Sequence, residues 1–259
     1  MRTLDWRQGM LVTVLSMAAI PAGVSAAPLC EARSGPIVMP LVELYTSEGC
    51  SSCPPADRWL ARAHAQHEAN FLAFHVDYWD RLGWPDRFAS PAYSQRQRQR
   101  VNAAGERTVY TPQVMLGGQI KVNWRDAAEF SGVLESERQA AMTTLSLAIE
   151  SPAPGAKITL EAVPINMTTD ASAELWLAQY FNAQVTRVER GENGGETLRH
   201  DRVVVQLWGP WSFRDEPIIQ TVELEKTLTA GGLTAFVQDG RGRVWQSLNL
   251  TDAGCGNAR

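Results

Sequence analysis

The sequence predicts a mixed α/β domain followed by an all-β, sandwich-like domain. Between residues 37 and 139, apolar runs of strand length alternate with segments of helical periodicity. From 143 to 250, short strand-like runs are separated by turns rich in glycine and proline. The hydrophobic content of 44% and charged content of 20% are typical of a globular protein, and 259 residues suffice for one or two domains.

The α/β domain has the predicted element order β-α-β-α-β-β-α. Its continuous apolar strands suit a buried sheet, and Ser90-Pro91 is a capping residue followed by proline, which marks the start of a helix. Gly117-Gly118 predicts a two-residue hairpin turn. The predicted elements lie at 37–45, 55–69, 71–78, 90–104, 114–116, 119–122 and 124–138.

Eight short strands are predicted for the second domain. Leu145, Leu147 and Ile149 alternate with smaller or polar residues, which is the period of a half-buried strand. Glycine-rich turns are predicted at 191–195 and 239–242. The predicted strands lie at 144–149, 157–163, 174–180, 184–189, 202–208, 219–224, 233–239 and 244–248, before a C-terminal tail at 251–259.

The first 26 residues have the pattern of a secretory signal peptide. Arg2 and Arg7 precede an apolar run at 10–20, and Val24-Ser25-Ala26 fits a cleavage site. A membrane anchor is the alternative, but the apolar run is shorter than the roughly 20 residues that a span requires. We therefore expect a periplasmic or secreted protein with no membrane association after cleavage. The net charge of −4 provides no overall basic field for nucleic acid.

Four cysteines, Cys30, Cys50, Cys53 and Cys255, follow the predicted cleavage site. In an oxidising compartment they allow three pairings. The most economical pairing joins Cys50 to Cys53 and Cys30 to Cys255, because the first two are close in sequence and the others lie near the two ends of the mature chain. Free thiols at Cys30 and Cys255 remain the alternative.

The Cys50-Ser-Ser-Cys53 motif follows a predicted strand and precedes a predicted helix. A helix N-terminus stabilises a thiolate, which is the species that attacks a disulfide. A second thiol nearby resolves the mixed disulfide. We expect Cys50 to be the exposed nucleophile and Cys53 the buried resolving residue. An inert structural disulfide and half of a metal site are the alternatives, although a four-cysteine zinc site would need a second close pair.

A second group of candidate residues lies at the ends of the neighbouring strands. A cis Thr111–Pro112 bond would turn the backbone towards the dithiol so that an extended substrate could pair with it. Asp77 lies at the end of the predicted second strand, at the edge of the sheet where active sites form. With Tyr78 and Trp79 it would contact a partner, unless these aromatic residues simply pack over the core.

Together these motifs resemble the thioredoxin superfamily over residues 37–139. The segments 42–57, 76–80, 111–113 and 191–195 more narrowly resemble the secreted thioredoxin-like proteins of domain-of-unknown-function family 1223. The superfamily resemblance implies thiol–disulfide exchange with Cys50 as nucleophile, Cys53 as resolving cysteine and Pro112 as the cis proline. The narrower family has no settled activity to carry over.

The chain departs from the thioredoxin pattern in two places. Pro54 and Pro55 follow the motif, so we expect the helix to begin there and the dithiol to lie on its entry loop. Thioredoxins have a buried acid where this chain has Leu44, and Glu43, one position earlier, is interpreted as a strand-end carboxylate. His75 is expected to be a hydrogen-bonded core residue, and the arginines of 95–100 are expected on a solvated helix face.

The sequence thus predicts an exported thiol–disulfide oxidoreductase that acts on a protein substrate or redox partner. No cofactor and no metal are expected, because the cysteines themselves carry the electrons. A copper-handling module is one alternative, since thiolates favour Cu(I). A redox-inert adaptor with a structural 50–53 disulfide is the other.

Overall fold

The computed structural model describes residues 30–165, 172–228 and 230–251. They form a mixed α/β protein with large β-sheets and few helices. The helices are α1 (Pro54–Gln66), α2 (Pro91–Ala103) and α3 (Ala127–Ser136), with a 3₁₀ helix at Asp77–Leu82. The strands are β1 (Cys30–Arg33), β2 (Leu41–Thr46), β3 (Asn70–His75), β4 (Gln113–Leu116), β5 (Thr143–Ile149), β6 (Lys157–Pro164), β7 (Ala173–Phe181), β8 (Gln184–Arg187), β9 (Thr197–His200), β10 (Val203–Phe213), β11 (Ile218–Glu223), β12 (Gly231–Asp239) and β13 (Val244–Thr251). The predicted signal peptide, Cys255 and almost all of the predicted tail lie outside the described residues.

The helix starts follow from local sequence. Proline suits the first turn of α1, where its missing N–H needs no partner. The Ser90 side chain accepts a hydrogen bond from the backbone N–H of Ala92 at the start of α2 (3.3 Å). Asp126 caps α3 by accepting from two backbone N–H groups. The helix predicted at 90–104 is therefore confirmed.

Strands from both halves of the chain form one seven-stranded sheet, in the order β13-β12-β7-β10-β3-β2-β4. β2 is parallel to β3 and antiparallel to β4. β10 connects the halves, because it runs parallel to β3 and antiparallel to β7. The segments 37–139 and 143–250 consequently share a sheet. They also share a core cluster that contains Phe74 and Tyr93 from the first segment and Trp176 and Phe236 from the second.

A four-stranded sheet, β1-β5-β6-β11, packs against the C-terminal part of the larger sheet. The alternating residues Leu145, Leu147 and Ile149 of β5 are buried, as the period-two pattern predicted. They pack in one cluster with side chains from β7, β12 and β13, so this half has two sheets around a common apolar core.

The prediction of a second hairpin strand at 119–122 is wrong. One bridge joins Leu116 to Gln119, and the Val122 N–H donates to the Val114 carbonyl (3.2 Å), but residues 120–122 do not form a strand. The side chain of Gln113 donates to the Ile120 carbonyl (2.9 Å) and satisfies a group that a strand partner would otherwise have bonded. Two strands were not predicted, β1 and β9, which are each four residues long. Such short segments carry little periodicity.

Glu43 and two arginines of α2 form a buried charge cluster. Arg96 and Arg100 pack against β2 instead of facing solvent, which corrects the expectation of a solvated arginine face. Arg96 Nε and Nη2 donate to the Glu43 carboxylate (3.0 and 2.9 Å), and Arg100 Nη1 donates to it as well. Glu43 is therefore not a strand-end carboxylate, because this cluster joins α2 to the middle of β2.

Candidate active site around the Cys50–Cys53 disulfide

The two cysteines of the motif lie between β2 and α1 and form a disulfide with a Cα–Cα distance of 5.4 Å. The backbone N–H of Cys53 donates to the Cys50 carbonyl (3.1 Å), and the Cys53 carbonyl accepts from Ala56 in the first turn of the helix (2.8 Å). Cys53 thus occupies the N-cap position, and Cys50 lies on the entry loop. This is the placement that Pro54 and Pro55 predicted.

Cys50 is 0% exposed, which corrects the expectation of an exposed nucleophile. Cys53 is equally buried. Ser51 and Ser52 between them are exposed, however, and neither cysteine belongs to an apolar core cluster of the described residues. The disulfide therefore lies immediately below the protein surface.

The turn between β8 and β9 is hydrogen bonded to the loop that carries Cys50. Asn193 is buried, and its Nδ2 donates to the carbonyls of Glu48 (2.8 Å) and Cys50 (3.0 Å). The Glu192 carboxylate accepts from the backbone N–H (3.0 Å) and the hydroxyl (2.7 Å) of Ser51. A glycine-rich turn was predicted at 191–195, but its position over the dithiol was not.

The Thr111–Pro112 bond is cis and lies beside the motif. Ser52 Oγ is 3.3 Å from Cys50 Sγ and donates to the Thr111 carbonyl (3.4 Å). Trp79 Nε1 donates to Thr111 Oγ1 (2.7 Å). The structure thus brings together four of the predicted site residues, Cys50, Cys53, Thr111 and Pro112, and Trp79 holds the Thr111 side chain from a half-buried position.

Asp77 and Tyr78 are instead bonded to α2. Ser94 Oγ donates to Asp77 Oδ1, and the Asp77 backbone N–H donates to Ser94 Oγ (3.1 Å). The Tyr78 hydroxyl donates to Gln97 Oε1 (3.2 Å), and burial raises the pKa of Tyr78 to about 12. These contacts fix the 3₁₀ helix that carries Trp79, so Asp77 and Tyr78 support the site from one side.

A buried acid–histidine network lies behind the motif and was largely missed by the sequence analysis. His200 of β9 lies between two carboxylates, with Nε2 3.6 Å from Glu48 Oε1 and Nδ1 3.5 Å from Asp57 Oδ2. Next to it, His75 Nδ1 is 2.6 Å from Asp86 Oδ2, which confirms His75 as a hydrogen-bonded core residue. The two imidazole rings are 4.8 Å apart.

The charges of this network compensate one another. Burial lowers the pKa of His200, but Asp57 and Glu48 outweigh that effect and raise it to about 10, so the ring is an imidazolium at neutral pH. Burial raises the pKa of Glu48, yet its interaction with His200 keeps that pKa below its usual value. The pKa of Asp86 is likewise lowered, since the charge of His75 outweighs burial.

The network connects both flanks of the disulfide to the rest of the protein. Glu48 precedes Cys50 by two residues, and Asp57 lies in the first turn of α1, where its N–H donates to the Cys53 carbonyl (3.2 Å). Thr46 Oγ1, at the end of β2, donates to Asp57 Oδ1 (2.9 Å). In the sequence, two acids this close to the cysteines were a signal that could have indicated a buried charge network. His200 gave no such signal, because it lies on the unpredicted strand β9.

The position of the disulfide suits thiol chemistry. A disulfide at the start of α1 lies where the helix dipole stabilises an anion. Within the described part of the chain, no three His, Cys, Asp or Glu side chains are arranged to hold a metal ion. No described helix is long and apolar enough to cross a membrane.

Comparisons with known proteins support a family and a fold. The family model described as "Protein of unknown function (DUF1223)" matches residues 41–238. The crystal structure of protein AGR_C_4864 from Agrobacterium tumefaciens has a TM-score of 0.64 at 24% identity, covering 87% of this chain and 98% of that one. HBP35 of Porphyromonas gingivalis has a TM-score of 0.60 at 12% identity, covering 83% of this chain and 75% of that one. No curated protein matches the sequence.

Proposed function

This chain belongs to the DUF1223 family of proteins of unknown function, and we propose that it is an exported, thioredoxin-like thiol–disulfide oxidoreductase. The observation that carries the proposal is the Cys50–Cys53 disulfide at the start of α1, just below exposed residues. Its substrate is a thiol or disulfide of another protein, and neither nucleic acid nor membrane is required. Export follows from the signal peptide predicted at 1–26.

The element order supports a thioredoxin-like domain in the first half of the chain. A strand leads into the Cys-x-x-Cys motif and a helix, the next strand lies parallel to the first, and the strand after Thr111–Pro112 pairs antiparallel to β2. The predicted hairpin partner of β4 is reduced to one bridge. Beyond β10, the strands β7, β12 and β13 of the second half continue the same sheet.

The proposed reaction transfers two electrons between dithiol and disulfide. In the reducing direction the Cys50 thiolate attacks a sulfur of the partner's disulfide, forming a mixed disulfide and releasing one partner thiolate. Cys53 loses its proton and attacks Cys50 Sγ, which re-forms the 50–53 disulfide and releases the second partner thiolate. Both released thiolates take up protons, and the oxidising direction is the reverse.

The surroundings of the motif support its role in this cycle. Asn193 and the network of Glu48, Asp57 and His200 hold the loop and the first turn of α1 in place. Preorganised groups of this kind reduce the rearrangement required during reaction. Partner access to Cys50 requires the turn that carries Asn193 to move, because Cys50 is covered in the oxidised protein.

A redox-inert binding protein is the second candidate, and the burial of both cysteines favours it. A buried disulfide that no partner reaches would only stabilise the entry to α1. Structural disulfides have reduction potentials below about −300 mV, whereas exchange-active ones lie higher. The potential of the 50–53 pair therefore separates the two candidates.

An insulin-type disulfide substrate with a small dithiol reductant tests the proposed activity directly. Wild-type mature protein is expected to accelerate substrate reduction, and Cys50→Ser is expected to be inactive. Cys53→Ser is expected to accumulate a mixed disulfide, because resolution is blocked. Equal rates for wild type and Cys50→Ser, with circular dichroism showing both folded, would remove the enzymatic proposal.

A further inference from the structure

The turn over the disulfide is a compact element with its own hydrogen bonds. We define the cover turn as residues 188–196, which connect β8 and β9. The Val188 N–H donates to the Glu196 carbonyl (2.9 Å), and the Gly195 N–H donates to the Val188 carbonyl (2.8 Å). Gly195 has φ 93°, which a side chain would strain. The turn can therefore keep its shape when its outer contacts break.

β8 and β9 form a two-stranded sheet apart from the two larger sheets. Two residues with left-handed backbone conformations flank the hairpin, Ala183 (φ 53°) before β8 and Arg202 (φ 59°) after β9. Both lie at the end of the hairpin that is remote from the turn. The buried His200 fixes the β9 end to the network behind the motif. The cover turn lies at the opposite end, where Val188 and Asn193 are buried and the residues between them, 189–192, are exposed.

Two anchors of different kinds attach the cover turn to residues 48–51, which we call the cysteine loop. The Asn193 amide is buried and bonds two carbonyls, which positions the backbone of residues 48–50. The Glu192 carboxylate is exposed and accepts two hydrogen bonds, both from Ser51. Water or a partner can replace the Glu192 anchor, because exposed hydrogen bonds exchange readily with solvent.

We propose that the cover turn is a lid that shields Cys50 in the oxidised protein and is displaced when a partner breaks the Glu192–Ser51 contact. The inference rests on the proposed function, since a lid matters only if Cys50 exchanges with a partner. It also explains how a redox-active sulfur can be 0% exposed and yet lie directly below the surface. A partner that offers its own hydrogen-bond acceptor to Ser51 opens the site, whereas a small reductant in solution reaches the disulfide only when the lid opens.

The rate at which a water-soluble phosphine reduces the native disulfide measures lid opening without requiring enzymatic activity. The phosphine donates two electrons to the disulfide and becomes the phosphine oxide, with water supplying the oxygen atom and two protons for the thiols. Samples are quenched with an alkylating agent, and modified Cys50 and Cys53 are counted by mass spectrometry.

Glu192→Ala is expected to increase the reduction rate about tenfold, because two hydrogen bonds to a carboxylate are lost. Glu189→Ala, an exposed carboxylate three residues earlier in the same turn, is the matched control and is expected to leave the rate unchanged. Ser51→Ala should increase the rate by a smaller factor. The Ser51→Ala/Glu192→Ala double variant should match Glu192→Ala, because both changes remove the same contact.

Equal reduction rates for wild type, Glu192→Ala and Glu189→Ala would overturn the lid proposal. The lid proposal would also fail if the double variant increased the reduction rate by the product of the two single-variant factors, because the two changes would then act independently. Failure of the proposed function has a different signature: the phosphine reduces Glu192→Ala faster than wild type, but neither protein reduces the insulin-type substrate. In that outcome the turn is a cover over a structural disulfide.

Discussion

Replacing Glu43 by glutamine removes the charge on which two buried arginines depend. Glu43 is 1% exposed in β2, and its carboxylate accepts hydrogen bonds from Arg96, Arg100 and the Tyr45 hydroxyl. Glutamine has nearly the same shape and keeps the site filled. Two buried guanidinium groups then lose the carboxylate that they share, and only the weaker charge interactions of Arg96 with Glu174 and of Arg100 with Glu137 remain. Removing one partner of a buried ion pair is among the most destabilising single changes.

The pKa of Glu43 gives the magnitude of this effect. Burial raises that pKa, but Arg100 and Arg96 together outweigh burial and lower it from 4.5 to about 2. At about 1.4 kcal/mol for each unit of pKa, the ionised carboxylate stabilises the folded state by about 3 kcal/mol at neutral pH. Breaking a buried ion pair typically costs about 3–5 kcal/mol. We expect Glu43→Gln to lose about 3 kcal/mol of unfolding free energy at pH 7.

The same linkage predicts the pH dependence. Because the folded pKa lies below the unfolded one, the stabilisation is complete above about pH 5 and is lost as pH falls towards 2. The difference in unfolding free energy between wild type and Glu43→Gln should therefore shrink at pH 3.

Urea denaturation at pH 7 and pH 3, followed by circular dichroism, measures both effects. Glu106→Gln is the control: Glu106 lies 2.6 Å from Lys121, but both side chains are about half exposed, so its loss should cost less than about 1 kcal/mol. The reasoning is refuted if Glu43→Gln costs no more than the control at pH 7, or if its cost is undiminished at pH 3.

Three further changes test the packing and the buried network. Gly231→Ala would place a Cβ against the Tyr180 carbonyl oxygen of the neighbouring strand, well inside van der Waals contact, and a loss of about 2–3 kcal/mol in urea denaturation is expected. Leu147→Ala removes a wholly buried side chain between the two sheets and should cost about 2–5 kcal/mol; a thermal midpoint equal to that of wild type would contradict this. The raised pKa of His200, about 10, predicts that wild type loses stability as pH rises from about 6.5 towards 10, and that His200→Gln does not show this loss in pH-dependent urea titrations.

Local features were predictable because their causes lie within a few residues. Ser90-Pro91 defines the start of α2, and Pro54-Pro55 places the helix start immediately after Cys53. The period-two pattern of β5 predicted which of its side chains are buried. In each case the backbone requirement and the residues that satisfy it are adjacent in the chain.

Contacts between distant segments were not predictable in the same way. The arginines of α2 were expected in solvent, because their helix looks polar all round until Glu43 is placed opposite Arg96 and Arg100. The strand β10 was expected in a separate domain, yet it pairs with β3. Neither outcome has a local signal, since the partner lies many residues away.

The sequence by itself determined where the dithiol lies, between the end of a strand and the start of a helix, because strand, turn and helix-start signals are local. Only the tertiary structure decided whether the sulfur of Cys50 meets solvent. Asn193 and Glu192 lie more than 140 residues from the cysteine loop, and their hydrogen bonds exist only once the sheets have brought the β8–β9 hairpin over it. Burial depends on everything that packs around an atom, and so it follows from the complete fold.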